Sequence, residues 1–154
     1  RNPAGGLIRN RRRDSEGGSQ TGNRTMTHRY TTRVYYEDTD LAGIVYYANY
    51  LKYIERARTE LVRGIGIDQA ALRDEHGIVF AVRKVEAEYL LPARFQVDLV
   101  VETRVQSVSG ARLVLAQDVL REPEVLFRSV VTLVALTAGG RPARMPAEIR
   151  RRLT

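Results

Sequence analysis

The sequence has no cysteine, which excludes disulfides, thiolate catalysis and cysteine-ligated zinc. Its two histidines, His28 and His76, stand apart, too few for a histidine-based zinc site. No Gly-x-Ser-x-Gly is present to argue a Ser-His-Asp triad, and no glycine-rich loop of the phosphate-cradling type occurs. No apolar run approaches the ~18–20 residues that cross a bilayer, so no integral membrane association is expected. No apolar core of a secretory signal stands near the start, and the expected location is cytoplasmic. Internal repeats are lacking as well.

What is there is a chain of 154 residues, 44% hydrophobic, with a formal charge of +7. That length fits one compact domain with a real core. The charge is uneven. Residues 1–26 hold six Arg against Asp14 and Glu16, and residues 141–154 hold five Arg against Glu148, each end net +4, which leaves the body at −1. A nucleic-acid partner wants a basic folded face, so none is expected. Residues 1–27, rich in Arg, Gly, Asn and Ser, carry too little apolar surface to offset the entropy of ordering and read as a disordered tail. Met26 reads as the natural start, with an upstream extension before it.

The body runs from 28 to 140. Residues 29–37 are β-branched and aromatic, which suits a strand. A helix is expected over 47–63, with Tyr47, Tyr50, Leu51, Ile54, Ala57 and Leu61 as its apolar stripe and Gly64 as its C-cap. A shorter helix follows at 68–75, with Asp68 as N-cap and Gly77 as the stop. Residues 78–91 change alternation phase near Arg83-Lys84, which predicts a bulge. Three more strands follow, at 97–105, 113–120 and 125–137. The last is apolar on both faces except at Arg128, so it should be internal or covered. Residues 141–154 are a basic segment with a short surface helix opening at Pro146. Strand, long helix, short helix and four hairpin strands make an α+β fold, an antiparallel sheet of about five strands around one helix. Its uncovered face and edges predict a dimer.

Between the first strand and the long helix lies Tyr35-Tyr36-Glu37-Asp38-Thr39-Asp40-Leu41-Ala42-Gly43, running on into Ile44-Val45-Tyr46-Tyr47-Ala48-Asn49-Tyr50. Three carboxylates precede a glycine turn and a helix N-terminus, whose unpaired N–H groups and positive dipole end favour negative charge. By spacing alone Asp38 and Asp40 read as turn or cap residues, or as an Asp-x-Asp metal pair.

The run from Asp38 to Tyr50, continued by Leu51-Lys52-Tyr53-Ile54-Glu55-Arg56-Ala57-Arg58-Thr59-Glu60, resembles the hotdog-fold acyl-CoA thioesterases, in the Tol-Pal-associated branch near the 4-hydroxybenzoyl-CoA thioesterases. Phe80-Ala81-Val82-Arg83 and Tyr89-Leu90-Leu91-Pro92-Ala93-Arg94 fit the same branch. The resemblance implies hydrolysis of an acyl-CoA without cofactor or metal, in a homodimer or homotetramer. It places the essential carboxylate at Asp40 and the oxyanion donor at the Tyr47 backbone N–H. Tyr47 also marks a departure, since the Tol-Pal branch typically has His there. Gly43, Val45, Tyr46 and Tyr50 are expected to line the substrate site, and Arg112, alone in Ser109-Gly110-Ala111-Arg112, to meet CoA phosphate. Asp38 is left as a cap, and Glu55 is a second carboxylate candidate against a plain ion pair with Arg56 or Arg58. Whether Asp40 attacks directly or activates water stays open. A binding module for acyl thioesters or an acyl carrier protein is the alternative on the same fold. An adaptor acting through the Arg-rich ends is a third reading.

Overall fold

The computed structural model describes residues 27–154. The tail reading of residues 1–26 lies outside them; Thr27, counted with that tail, instead opens the first strand. The elements are β1 (Thr27–Arg33), a 3-10 turn (Tyr36–Asp38), α1 (Asn49–Gly64), α2 (Gln69–His76), β2 (Ile78–Tyr89), β3 (Asp98–Val108), β4 (Arg112–Arg121), β5 (Glu124–Thr137) and α3 (Ala147–Leu153). All pairings are antiparallel, in the order β1-β3-β4-β5-β2. This is the expected α+β arrangement of five strands and one long helix.

The inner face of the sheet carries Leu99, Val101, Leu115, Val119, Phe127 and Val131, and α1 lays Tyr50, Tyr53, Ile54, Ala57 and Leu61 on it. Three positions correct the sequence reading. Tyr53 is buried in the stripe, whereas Leu51 and Tyr47 are exposed. Helix α1 also runs through Gly64 and is capped at Ile65, because the left-handed backbone needed beyond the last turn falls at Gly66, φ +82°. Asp68 caps α2 as expected, accepting from the Ala70 and Ala71 N–H groups, and Gly77 ends it at φ +66°.

A polar row crosses the middle of this apolar face. Thr103, Gln117 and Ser129 sit opposite one another on β3, β4 and β5 and are buried. The Gln117 amide donates to the Ile54 carbonyl (2.9 Å) and to Thr103 Oγ1 (3.0 Å), while its oxygen accepts from Arg58 (2.9 Å). Helix and sheet are thereby fixed in one register, since a buried amide left unpaired costs ~1–3 kcal/mol. Arg128, the exception in β5, points to the outer face, where Asp118 lies 3.6 Å from both Arg128 and Arg104.

The bulge in β2 falls between Val82 and Lys84. β2 is an edge strand of 12 residues with Val79, Val82, Val85 and Tyr89 exposed. The opposite edge, β1, is lined instead by charge: Arg29 pairs with Glu102 and Glu122, and Arg33 with Asp98. The C-terminal segment, expected as a surface helix, is instead built into the core through Met145, Ile149 and Leu153, the last two one helical turn apart on one face of α3. Among the described residues no helix is long and apolar enough to cross a membrane.

Candidate active site

The loop joining β1 to α1 is tied down by its own backbone. Val34 and Val97 hold its start through the Val34 N–H to Val97 carbonyl bond (3.0 Å), and Val45 holds its end through its N–H to the Ala93 carbonyl (2.8 Å). Between these anchors Thr39 bridges Val45, and Asp40 and Gly43 close a tight turn, the Gly43 N–H donating to the Asp40 carbonyl at 2.9 Å. Gly43 is needed for its backbone, φ +76°; a Cβ there would meet nothing within 4 Å. Gly43, expected to line the substrate site, has the left-handed backbone that this turn requires.

The turn aims Asp40. One oxygen of its carboxylate accepts from the Ala42 N–H (2.9 Å), and the residue is exposed. Asp38 is used differently. Its carboxylate accepts from the Tyr35 N–H (2.9 Å), and its carbonyl accepts from the Tyr46 N–H and the Asn49 amide (2.9 Å each). Asp38 thus caps the 3-10 turn and binds it to the start of α1, as a cap reading expects. The two aspartates bond separate N–H groups, and among the described residues no three His, Asp or Glu gather as a metal cage.

Helix α1 begins without a side-chain cap. Ala48 already has helical backbone, φ −70° and ψ −21°. The Asn49 N–H donates to the Tyr46 carbonyl (2.8 Å) and the Leu51 N–H to the Ala48 carbonyl (3.2 Å). Among the described residues the N–H groups of Tyr47 and Ala48 have no acceptor. They are orphan donors at the positive end of a 16-residue helix.

Asp40, Val45, Tyr46, Tyr47 and Tyr50 line one cleft of about 420 Å³, closed on the far side by Tyr89, Leu90, Leu91 and Pro92. The fold therefore brings five of the expected site residues together. Gly43 stands behind them in the turn. Arg112 does not join them: it pairs with Val134, toward the other end of the sheet. Glu55 lines a different cleft, of about 150 Å³, with Arg58, Leu61, Val62, Phe80 and Leu133. There burial pushes the Arg58 guanidinium below its ordinary pKa, and Glu55 pulls it partway back.

The aromatic wall is a chain of edge and stacked contacts. Tyr50 stacks on Phe127 with centroids 5.0 Å apart, and Tyr89 meets Tyr50 at 5.5 Å, Phe127 at 5.1 Å and Tyr47 at 6.1 Å. Burial raises the Tyr50 and Tyr89 phenols, and Tyr46 is raised first by the Tyr47 hydroxyl beside it and also by Asp40. Asp40 is thus the one carboxylate in a largely apolar and phenolic cleft. In the sequence Tyr89 and its neighbours stand out only as fitting a branch pattern. Their signal was an aromatic residue at a strand end just before Pro92, but nothing local says which helix they face.

Comparison with known proteins adds to this geometry. A sequence profile described as the thioesterase-like superfamily matches residues 34–153. The acyl-CoA thioesterase YbgC of Haemophilus influenzae is 36% identical over 122 residues, covering 79% of this chain and 90% of that protein. The acyl-CoA thioester hydrolase YbgC of Escherichia coli O6:H1 is 41% identical over 110 residues, 71% of this chain and 81% of that protein. A solved structure, a probable thioesterase from Bartonella henselae, superposes with a TM-score of 0.74 at 32% identity, covering 79% of this chain and 100% of that one.

Proposed function

The chain belongs to the thioesterase-like superfamily, with the hotdog fold, and is an acyl-CoA thioester hydrolase; we propose that Asp40 and the Tyr47 N–H carry the reaction. The thioester enters the cleft with its carbonyl oxygen against the free Tyr47 N–H. The Asp40 carboxylate adds to the carbonyl carbon, or takes the proton of a water that adds. Negative charge builds on the carbonyl oxygen and is held by the helix-start donor and dipole. Then the carbon–sulfur bond breaks: by the water route Asp40 returns the proton it took to the departing sulfur, and by the direct route CoA leaves as the thiolate and takes its proton from water. By the direct route a mixed anhydride remains, which water cleaves to release the acid and restore Asp40. A donor of this kind is worth ~10²–10³ in rate where it meets developing charge.

The observation that supports this reading is the meeting of three things in one cleft: an exposed carboxylate, an unpaired N–H at a helix start, and an apolar wall. Val45, Tyr46 and Tyr50 shape the acyl side of the cleft.

The unpaired β2 edge supports an oligomer. A long edge strand with exposed valines is a liability unless something covers it, and a second copy pairing antiparallel along β2 would do so. That pairing sets the Tyr89 end of one copy beside the Ile78 end of the other. The row Ala81–Val134–Arg112 then approaches the cleft from the second copy, which is the route by which Arg112 meets CoA phosphate. Light scattering is expected to give a dimer or tetramer; a monomer at working concentration would contradict it.

The test of the site is thiol release over a panel of acyl-CoA and acyl-carrier-protein thioesters, wild type beside Asp40→Asn. Release by the wild type and its loss in the variant are expected. Equal release by both would remove Asp40 from the mechanism. Binding without release from any acyl group would make the chain a binding module instead.

A further inference from the structure

Helix α1 has no side chain capping its first turn, yet its start is sharply defined. The Tyr47 carbonyl would ordinarily accept from the Leu51 N–H four residues on. It does not; Leu51 bonds Ala48 instead, and the Tyr47 carbonyl accepts from the hydroxyl of Tyr89 at 2.9 Å, across 42 residues of sequence. Tyr89 is the last residue of β2, opposite Phe127 in the β5 register, and its ring is wedged between Tyr47, Tyr50 and Phe127.

We propose that Tyr89 is a positioning residue for the oxyanion donor, its hydroxyl holding the Tyr47 carbonyl out of the helix so that α1 starts at Asn49 and the Tyr47 N–H stays free beside Asp40. The inference rests on the assignment of Asp40 and the Tyr47 N–H given above. Without the hydroxyl, the Tyr47 carbonyl recaptures the Leu51 N–H. The helix then winds back toward Tyr46 and turns the donor from the place where the oxyanion forms. The bond also polarises the peptide that carries the Ala48 N–H, strengthening a second donor at the same helix start. Tyr89 itself does not touch the reacting atoms, and burial keeps its phenol protonated, so it acts as a fixed donor and not as an acid or base.

Two variants separate the hydroxyl from the ring. Tyr89→Phe keeps the aromatic wedge and removes only the hydrogen bond; Tyr89→Leu removes both. The expected result for Tyr89→Phe is a fall of about 5–10-fold in kcat with KM within about twofold of wild type, the signature of an interaction that matters chiefly in the transition state. Its melting temperature should stay at the wild-type value, while Tyr89→Leu should also melt earlier and raise KM. A Tyr89→Phe enzyme with wild-type kcat overturns the proposal, because ring packing alone would then explain the contact. A loss confined to KM overturns it as well, since it would make Tyr89 a substrate contact. Asp40→Asn, assayed alongside, keeps the two ideas distinct. If it is inactive while Tyr89→Phe is unimpaired, only the Tyr89 inference fails; if it is as active as wild type, the site assignment fails and takes the inference with it.

Discussion

Asp40 and Glu55 both present a carboxylate to a cleft beside α1, one just before the helix and one in its second turn. Around Glu55 the backbone N–H groups are spent on helix bonds, and the neighbouring cation, Arg58, is committed to Gln117. The cleft of Asp40 also takes in the start of α1, where the backbone N–H groups of Tyr47 and Ala48 are left over. The difference teaches that a carboxylate in a cleft is not yet chemistry. It becomes so where the fold leaves hydrogen-bond donors unspent within reach of the group that will develop charge. The ends of helices are where backbone does this without a special side chain.

That contrast can be broken at either end. The largest effect should come from Asp40→Asn beside Glu55→Gln: kcat for thiol release falls ~10²–10⁴ in the first, the range for loss of a general base, and stays within about twofold in the second. A collapse in Glu55→Gln with Asp40→Asn intact would invert the comparison. Next comes Gln117→Leu, which orphans Arg58, Thr103 and the Ile54 carbonyl. It should cost ~2–3 kcal/mol in urea unfolding, marking the Glu55 side of the helix as structural. Gly43→Ala meets no steric obstacle, so its cost is the left-handed backbone alone, ~1–2 kcal/mol by the same measurement.

The smallest effect lies far from both clefts. Arg33, hydrogen-bonded and 2.7 Å away, holds the exposed Asp98 carboxyl below its usual range. A carboxylate with a lowered folded pKa adds stability above its unfolded pKa and loses it as pH falls through the folded one. Asp98→Asn should therefore melt slightly below wild type near neutral pH and coincide with it in acid. High salt should erase the neutral-pH gap, as for any exposed pair.

Much of the fold was legible because its signals are local. Alternation in β3, the 3- and 4-residue steps of α1, the Asp68 cap and the phase change at the β2 bulge all repeat over a few residues. Errors arose where two local signals competed. Gly64 looked like a cap, but the turn could close later at Gly66. Leu51 looked like core, but Tyr53 took its place because the helix turns its tyrosine face to the sheet. The site was only half legible. The residues Asp40 to Tyr50 are contiguous, so sequence could group them, yet the choice of Asp40 over Asp38 came from resemblance and not from spacing. Gln117 escaped notice and Tyr89 showed only as part of a family pattern, because their meaning lies in strand register. A tyrosine at a strand end or a glutamine in an apolar run says nothing until the helix it faces is known. Arg112 stayed apart from the cleft because β4 places it opposite Val134, toward the other end of the sheet.

The central claim is that thioester cleavage depends on the Asp40 carboxylate standing beside unspent helix-start donors. Single-turnover thiol release, with enzyme in excess over an acyl-CoA that wild type cleaves, reads the chemical step apart from substrate capture. The account predicts that Asp40→Asn still binds the acyl-CoA but releases thiol ~10²–10⁴ times more slowly. Release at the wild-type rate from the fully bound complex would contradict it.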